Sequence, residues 1–171
     1  MELEQVIKNR CSVRHFSSKE VEQDKIDKII EYSLLAPTAK NKQPFRIYIL
    51  KSKEAIEKID TLTNCRYNAP IVVLFTYKDN EMWINDGIST INSGIEDTSI
   101  VATHFMLEAY NLGLDTCWVN LFNNYKLEKE FNLPKDEHSV LLMPIGYRLD
   151  GVRPSKLHTL KRNKEELVKE L

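Results

Sequence analysis

Apolar residues recur at helical spacing in the first part of the chain. Leu3, Val6 and Ile7 lie three and four positions apart, which predicts a short helix over residues 2–9. Ile26, Ile29, Ile30 and Leu34 follow the same period within Glu22 to Ala36. Pro37 ends this second helix, because proline disfavours α-conformation in the residue before it. The pattern then changes. "FRIYIL" (45–50) alternates and is rich in aromatic and β-branched residues, which predicts a strand. "SKEAIEKI" (52–59) reads as a short surface helix. "APIVVLFTY" (69–77) is a nearly continuous apolar run, as expected of a strand covered on both faces. A long helix from about Asn92 to Leu112 is apolar on most of its circumference, and so belongs in a protein centre or a subunit interface. Gly113 is placed to cap it. "DTCWVNLF" predicts another strand, "KLEKEFNL" a helix ended by Pro134, and "HSVLLMPIGYRL" a final strand. The tail from Ser155 is basic, then amphipathic.

This uneven rhythm, with helices first, predicts an α+β sandwich with helices flanking a central mixed or antiparallel sheet, not a doubly wound Rossmann domain. The 171 residues contain no repeat and no linker, so a single domain spanning 1–171 is expected. A net charge of −1 argues against a nucleic-acid binder and means that any phosphate recognition must be local. The most apolar long stretch, Ser99 to Leu114, is too short to span a bilayer and contains His104, Glu108 and Asn111. The N-terminus shows no secretory h-region, and Cys11, Cys65 and Cys117 form no CxxC pair. These features fit a reducing cytoplasm. Four scattered histidines give no metal-ligand spacing. The five glycines form neither GxGxxG nor a P-loop, so a nucleotide would have to be held without a glycine-rich turn.

Two stretches carry candidate chemistry. In "NRCSVRHF" (9–16), an extended backbone puts Arg10, Ser12 and Arg14 on one face and Cys11 and Val13 on the other. Two guanidiniums and a hydroxyl on one face suit a phosphate dianion; a solvated turn is the plainer reading. In "PTAKNKQPF" (37–45), prolines restrict the backbone near each end while Thr38, Asn41 and Gln43 offer a hydroxyl and amides. Such groups match the donor and acceptor edge of a heteroaromatic ring, and they also suit an ordinary helix–strand connection.

Taken together, "NRCSVRHF" and "LLAPTAKNKQPFRIYIL" about 20 residues later resemble the N-terminal signature of the FMN-dependent nitroreductase family. "EAYNLGLDTCWVN", "LLMPIGYR" and "LKRNKEELV" resemble its later motifs, in the same order, so the likeness covers essentially the whole chain. The resemblance implies a homodimer with two FMN molecules in clefts at the subunit interface. Arg10, Cys11, Ser12 and Arg14 of one subunit would line the flavin, with Arg10 and Ser12 at the phosphate and ribityl end and Arg14 towards the pyrimidine edge. Pro37, Thr38, Ala39 and Asn41 would approach from the partner chain. Trp118, Val119 and Asn120 would pass the ring largely through backbone, and Lys161 and Arg162 would close on the phosphate. A cation near the ring's N1 would raise the two-electron potential. The implied activity is a ping-pong oxidoreductase, passing hydride equivalents from NAD(P)H to electron-poor acceptors such as nitroaromatics, quinones or flavins. The cofactor carries that chemistry, so no catalytic side chain is assigned.

The chain departs from the family pattern at several points. Cys11 stands for a basic residue, Phe45 for tryptophan, Asn120 for glycine, and Asn163-Lys164 for Pro-Leu. The chain also has little room for a lid, so an open substrate site is expected. Two other readings remain: a specialised flavin enzyme on the same fold (a dehalogenase or flavin-fragmenting type), and a flavin-binding module without turnover.

Overall fold

The computed structural model describes residues 1–85 and 92–171. Helices α1 (Leu3–Asn9) and α2 (Gln23–Ser33) come first. They are followed by a 3₁₀ turn (Ala39–Asn41), β1 (Phe45–Leu50), α3 (Lys53–Leu62) and β2 (Ile71–Lys78). Then come α4 (Gly94–Asn111), β3 (Asp115–Thr116), α5 (Asn124–Glu130) and β4 (Glu137–Gly146). A second 3₁₀ turn (Lys156–His158) and α6 (Lys164–Leu167) close the chain. The sheet runs β1-β2-β4-β3 and every ladder is antiparallel, so the architecture is α+β.

The apolar run of β2 is explained by two cores, one on each side of the sheet. Its residues alternate, as strand geometry requires. Ile71, Val73 and Phe75 face α2 and α4, where they meet Ile26, Ile29, Val101 and Phe105. Val72 and Leu74 face the other way, towards Ile59 of α3 and Leu127 of α5. Phe75 and Phe105 meet edge to face, with ring centroids 5.5 Å apart. Burial of such side chains contributes about 1.5–3 kcal/mol each, so this two-sided packing dominates the fold's stability.

Helix α4 ends as the sequence predicts. Gly113 has φ +80°, and Leu114 N–H donates to Ala109 O (2.9 Å) while Gly113 N–H donates to Tyr110 O (3.0 Å). This is the paired bonding of a Schellman motif, which favours glycine at the left-handed position. One strand is shorter than its sequence suggests. Of "DTCWVNLF", only Asp115–Thr116 forms a ladder, and the chain returns to β4 through a single bridge, Val119 to Leu142. The register runs on, with Cys117 N–H donating to Pro144 O (3.2 Å), but Pro144 has no N–H to return and the ladder stops there. Trp118 Nε1 donates to Asn120 Oδ1 (2.7 Å) and Asn120 Nδ2 donates to Val140 O (2.9 Å), so side-chain bonds clip this segment to β4.

Candidate cofactor site

After α1 the chain runs extended, and the face assignment follows from its pairing. Ser12 bridges Thr116 in parallel and Val13 N–H donates to Thr116 O (3.0 Å), so residues 11–13 lie along β3. Cys11 and Val13 are thereby buried with Phe16 and Ala69, while Ser12 and Arg14 are exposed and Arg10 is half-buried. A pair from elsewhere in the chain braces this row. Arg148 donates to Asp115 through both Nε (2.7 Å) and Nη2 (2.5 Å), and its Nη2 also lies 3.6 Å from Cys11 Sγ. The hydrogen bond to Asp115 drives the Arg148 pKa further up, so the guanidinium stays charged at any physiological pH.

Arg10, Cys11, Ser12 and Arg14 line a cavity of about 220 Å³ together with Ser155, Leu157, His158 and Lys161. Arg10, Arg14 and Lys161 bring three cations to it, Ser12 and Ser155 two hydroxyls, and His158 an imidazole. No carboxylate lines this cavity among the described residues. A chain of net charge −1 has thus gathered positive charge at one point, which is what binding an anion requires. Arg14 also acts inward. Burial pushes up the Tyr67 hydroxyl, and the neighbouring Cys65 thiol adds to that rise; Arg14 opposes it. Burial likewise pushes up the Cys117 thiol, against the pull of Arg14. Cys117 is therefore held as a thiol, not as a nucleophilic thiolate.

The remaining sequence candidates lie apart from this cavity. Arg162 sits next to Lys161 but is largely exposed, with Nε 3.5 Å from Glu166. Trp118 packs on the α2–α4 side of the sheet, Val119 is buried on the opposite side, and the Asn120 amide is engaged by Trp118 and Val140. Pro37, Thr38, Ala39 and Asn41 belong to a loop outside the cavity lining. Ser155 and His158 were not picked out from the sequence. Their only signal there was a position three to six residues before Lys161, in a tail whose course sequence does not reveal.

Separate from this cavity, α1, α2 and α4 form an apolar groove of about 630 Å³, lined by residues including Leu3, Ile7, Tyr32, Leu35 and Leu107. Leu35 is 72% exposed and Leu3 66%, and Ile95 on α4 is 57% exposed. Among the described residues no helix is long and apolar enough to cross a membrane.

Comparison with known proteins places this geometry in context. The profile of the Nitroreductase family matches residues 7–68 and 64–147. A Methanothermobacter thermautotrophicus protein, provisionally named NADH dehydrogenase/NAD(P)H nitroreductase, is 26% identical over 92% of this chain and 86% of its own. The crystal structure of a nitroreductase family protein from Clostridium difficile 630 superposes with a TM-score of 0.91 at 29% identity, covering 99% of this chain and 98% of that one. An FMN-dependent nitroreductase from Clostridium difficile R20291 gives a TM-score of 0.71 at 26% identity, covering 92% and 97%.

Proposed function

Since the chain belongs to the nitroreductase family, we propose that it is an FMN-dependent oxidoreductase that takes hydride equivalents from NAD(P)H and passes them to electron-poor acceptors. The carrying observation is the cavity that joins Arg10, Ser12 and Arg14 to Ser155, His158 and Lys161. FMN ends in a phosphate of nearly two negative charges, and forked guanidiniums with hydroxyls are the donors that match it. Arg10, Ser12 and Lys161 would hold the phosphate end, with Ser155 and His158 beside them, and Arg14 would face the ring. Bound FMN supplies the hydride chemistry itself. The chain's residues bind it, orient it and set the charge around it.

The site reading includes a second copy of the chain. Pro37, Thr38, Ala39 and Asn41 would complete the cleft from the partner, whose contact would cover the apolar groove of α1, α2 and α4. An apolar groove of that size is unusual on a protein that works alone. Quinones, nitroaromatics and flavins are the acceptor classes this reading implies, in a reducing cytoplasm that suits three free cysteines.

The test is direct. The purified protein should show a flavin spectrum, or acquire one with added FMN, and anaerobic NADH or NADPH should bleach it. A colourless protein that takes up no FMN overturns the reading. A yellow protein that neither nucleotide bleaches is a binding module instead.

A further inference from the structure

We propose that Asp97 positions the loop that forms the second side of the cofactor cleft. The inference rests on the FMN reading above, because only that reading gives the loop a ligand. Residues 38–43 form a tight and costly structure. Lys40, Asn41 and Gln43 have φ of +50°, +55° and +51°, a left-handed conformation that side chains other than glycine seldom adopt. The loop is bonded mainly to itself. Asn41 N–H donates to Thr38 O (3.0 Å), Lys42 N–H to Ala39 O (3.0 Å), and Gln43 N–H to Thr38 Oγ1 (3.1 Å). Among the described residues, one hydrogen bond joins it to the rest of the protein: Ala39 N–H donates to Asp97 Oδ1 at 2.8 Å.

That acceptor is unusual. Asp97 lies in the first turn of α4 and is only 3% exposed, and its second oxygen, Oδ2, is buried without a hydrogen-bond partner among the described residues. A buried carboxylate that leaves an oxygen unsatisfied carries a desolvation cost, and such costs persist where they serve a site. The first turn of α4 offsets part of it, since the helix N-terminus favours negative charge. Through Ala39, Asp97 ties a strained loop to the central helix of the fold. Positioning by such a tie makes the loop's shape depend on one contact across 58 residues of sequence.

Three variants and two readouts test this. Asp97→Ala removes the acceptor, Asp97→Asn keeps an oxygen for Ala39, and Ala39→Pro removes the donor at a helical first position where proline is tolerated. FMN and riboflavin affinity are measured by fluorescence titration, and exchange of the Ala39 amide by hydrogen–deuterium exchange. Asp97→Ala and Ala39→Pro are expected to weaken both ligands by about tenfold or more, the worth of a hydrogen bond to a charged group. Asp97→Asn should stay within about threefold of the parent and keep the amide protected, as a neutral hydrogen bond retains much of the tie. Parent-like affinity in Asp97→Ala overturns the proposal, as does an Asp97→Asn variant as weak as Asp97→Ala. Should Asp97→Ala fail to fold, Ala39→Pro decides alone. A parent that binds no FMN but shows the expected exchange pattern overturns the cofactor reading and leaves the anchor standing.

Discussion

Residues 10–14 and residues 38–43 both carry hydrogen-bond donors, yet the chain supports them in opposite ways. The first stretch is backed by β3 through Thr116, braced by the Arg148–Asp115 pair and roofed by Ser155, His158 and Lys161. The second projects outward, strained and tied to the body by Ala39 alone among the described residues. One stretch lines a cavity within its own chain; the other is joined to the body, among the described residues, by the Ala39–Asp97 bond. The difference is what a cleft shared between two copies would require. Each copy would build the charged half completely and offer the loop half to its partner.

The proposed sharing of the cleft between two copies is tested first, and should give the largest effect. Leu35, 72% exposed in the single chain, is a position where substitution normally changes stability by no more than about 0.5 kcal/mol. Leu35→Glu is therefore expected to fold normally, sediment as a monomer and retain less than about a tenth of the bound flavin, since a charge in an apolar interface costs several kcal/mol. A dimer that keeps its flavin would show that the groove of α1, α2 and α4 is not the contact.

Next in size is the self-contained half. Arg10→Ala should raise the FMN dissociation constant by about 10- to 100-fold, from one to two hydrogen bonds to a charged group. Riboflavin, which lacks the phosphate, should bind both proteins alike. An equal loss for both ligands would move the phosphate away from Arg10.

A smaller effect tests the footing of the loop half. A Cβ on Gly94, at the start of α4, would lie 2.4 Å from the Tyr77 ring, so Gly94→Ala must shift either that ring or the helix turn that carries Asp97, and the turn is expected to move. Overpacking of this kind destabilises by about 1–3 kcal/mol. Thermal unfolding should record that loss, and FMN affinity should fall with it while inorganic phosphate binding stays unchanged. An unchanged melting temperature would mean that Tyr77 moves aside freely.

The unequal support of the two stretches also explains how much could be read in advance. Helical period located α1 and α2, alternation located β1, and nearly continuous apolar character located β2 and α4, because each pattern is set by which faces an element buries. The row Arg10–Ser12–Arg14 was legible for the same reason, since Cys11 and Val13 mark its buried side. "DTCWVNLF" misled because its residues favour strands while the residue opposite Cys117 is Pro144, which has no N–H to complete the ladder. Asp97 gave no sign at all: an acidic residue in a first helical turn is ordinary, and its role lies in a contact with a loop 58 residues away. His158 and Ser155 were hidden likewise, by a tail whose path back to Arg10 no local pattern encodes.

The smallest expected effect concerns the strap between the two stretches. Beyond Phe16 the chain is pinned by Ser17 N–H to Tyr147 O (2.9 Å), and the Tyr147 hydroxyl donates to Glu22 Oε2 (2.6 Å) at the entry to α2, the helix that leads to the loop. The Tyr147 hydroxyl, more than any other group, holds the Glu22 carboxyl down from 4.5 to about 2, with the backbone, Lys25 and Lys19 adding to the effect. A carboxyl depressed on folding contributes stability above its unfolded value, and that contribution disappears as pH falls through the folded value. Tyr147→Phe keeps the ring over which Lys19 sits at 3.8 Å and deletes only the hydroxyl. The parent should therefore melt above the variant at pH 6, with the gap narrowing between 4.5 and about 2 as Glu22 takes up its proton. A gap that stays constant across that range would assign the hydroxyl's contribution to Lys25, which donates to it at 2.7 Å and keeps its charge throughout.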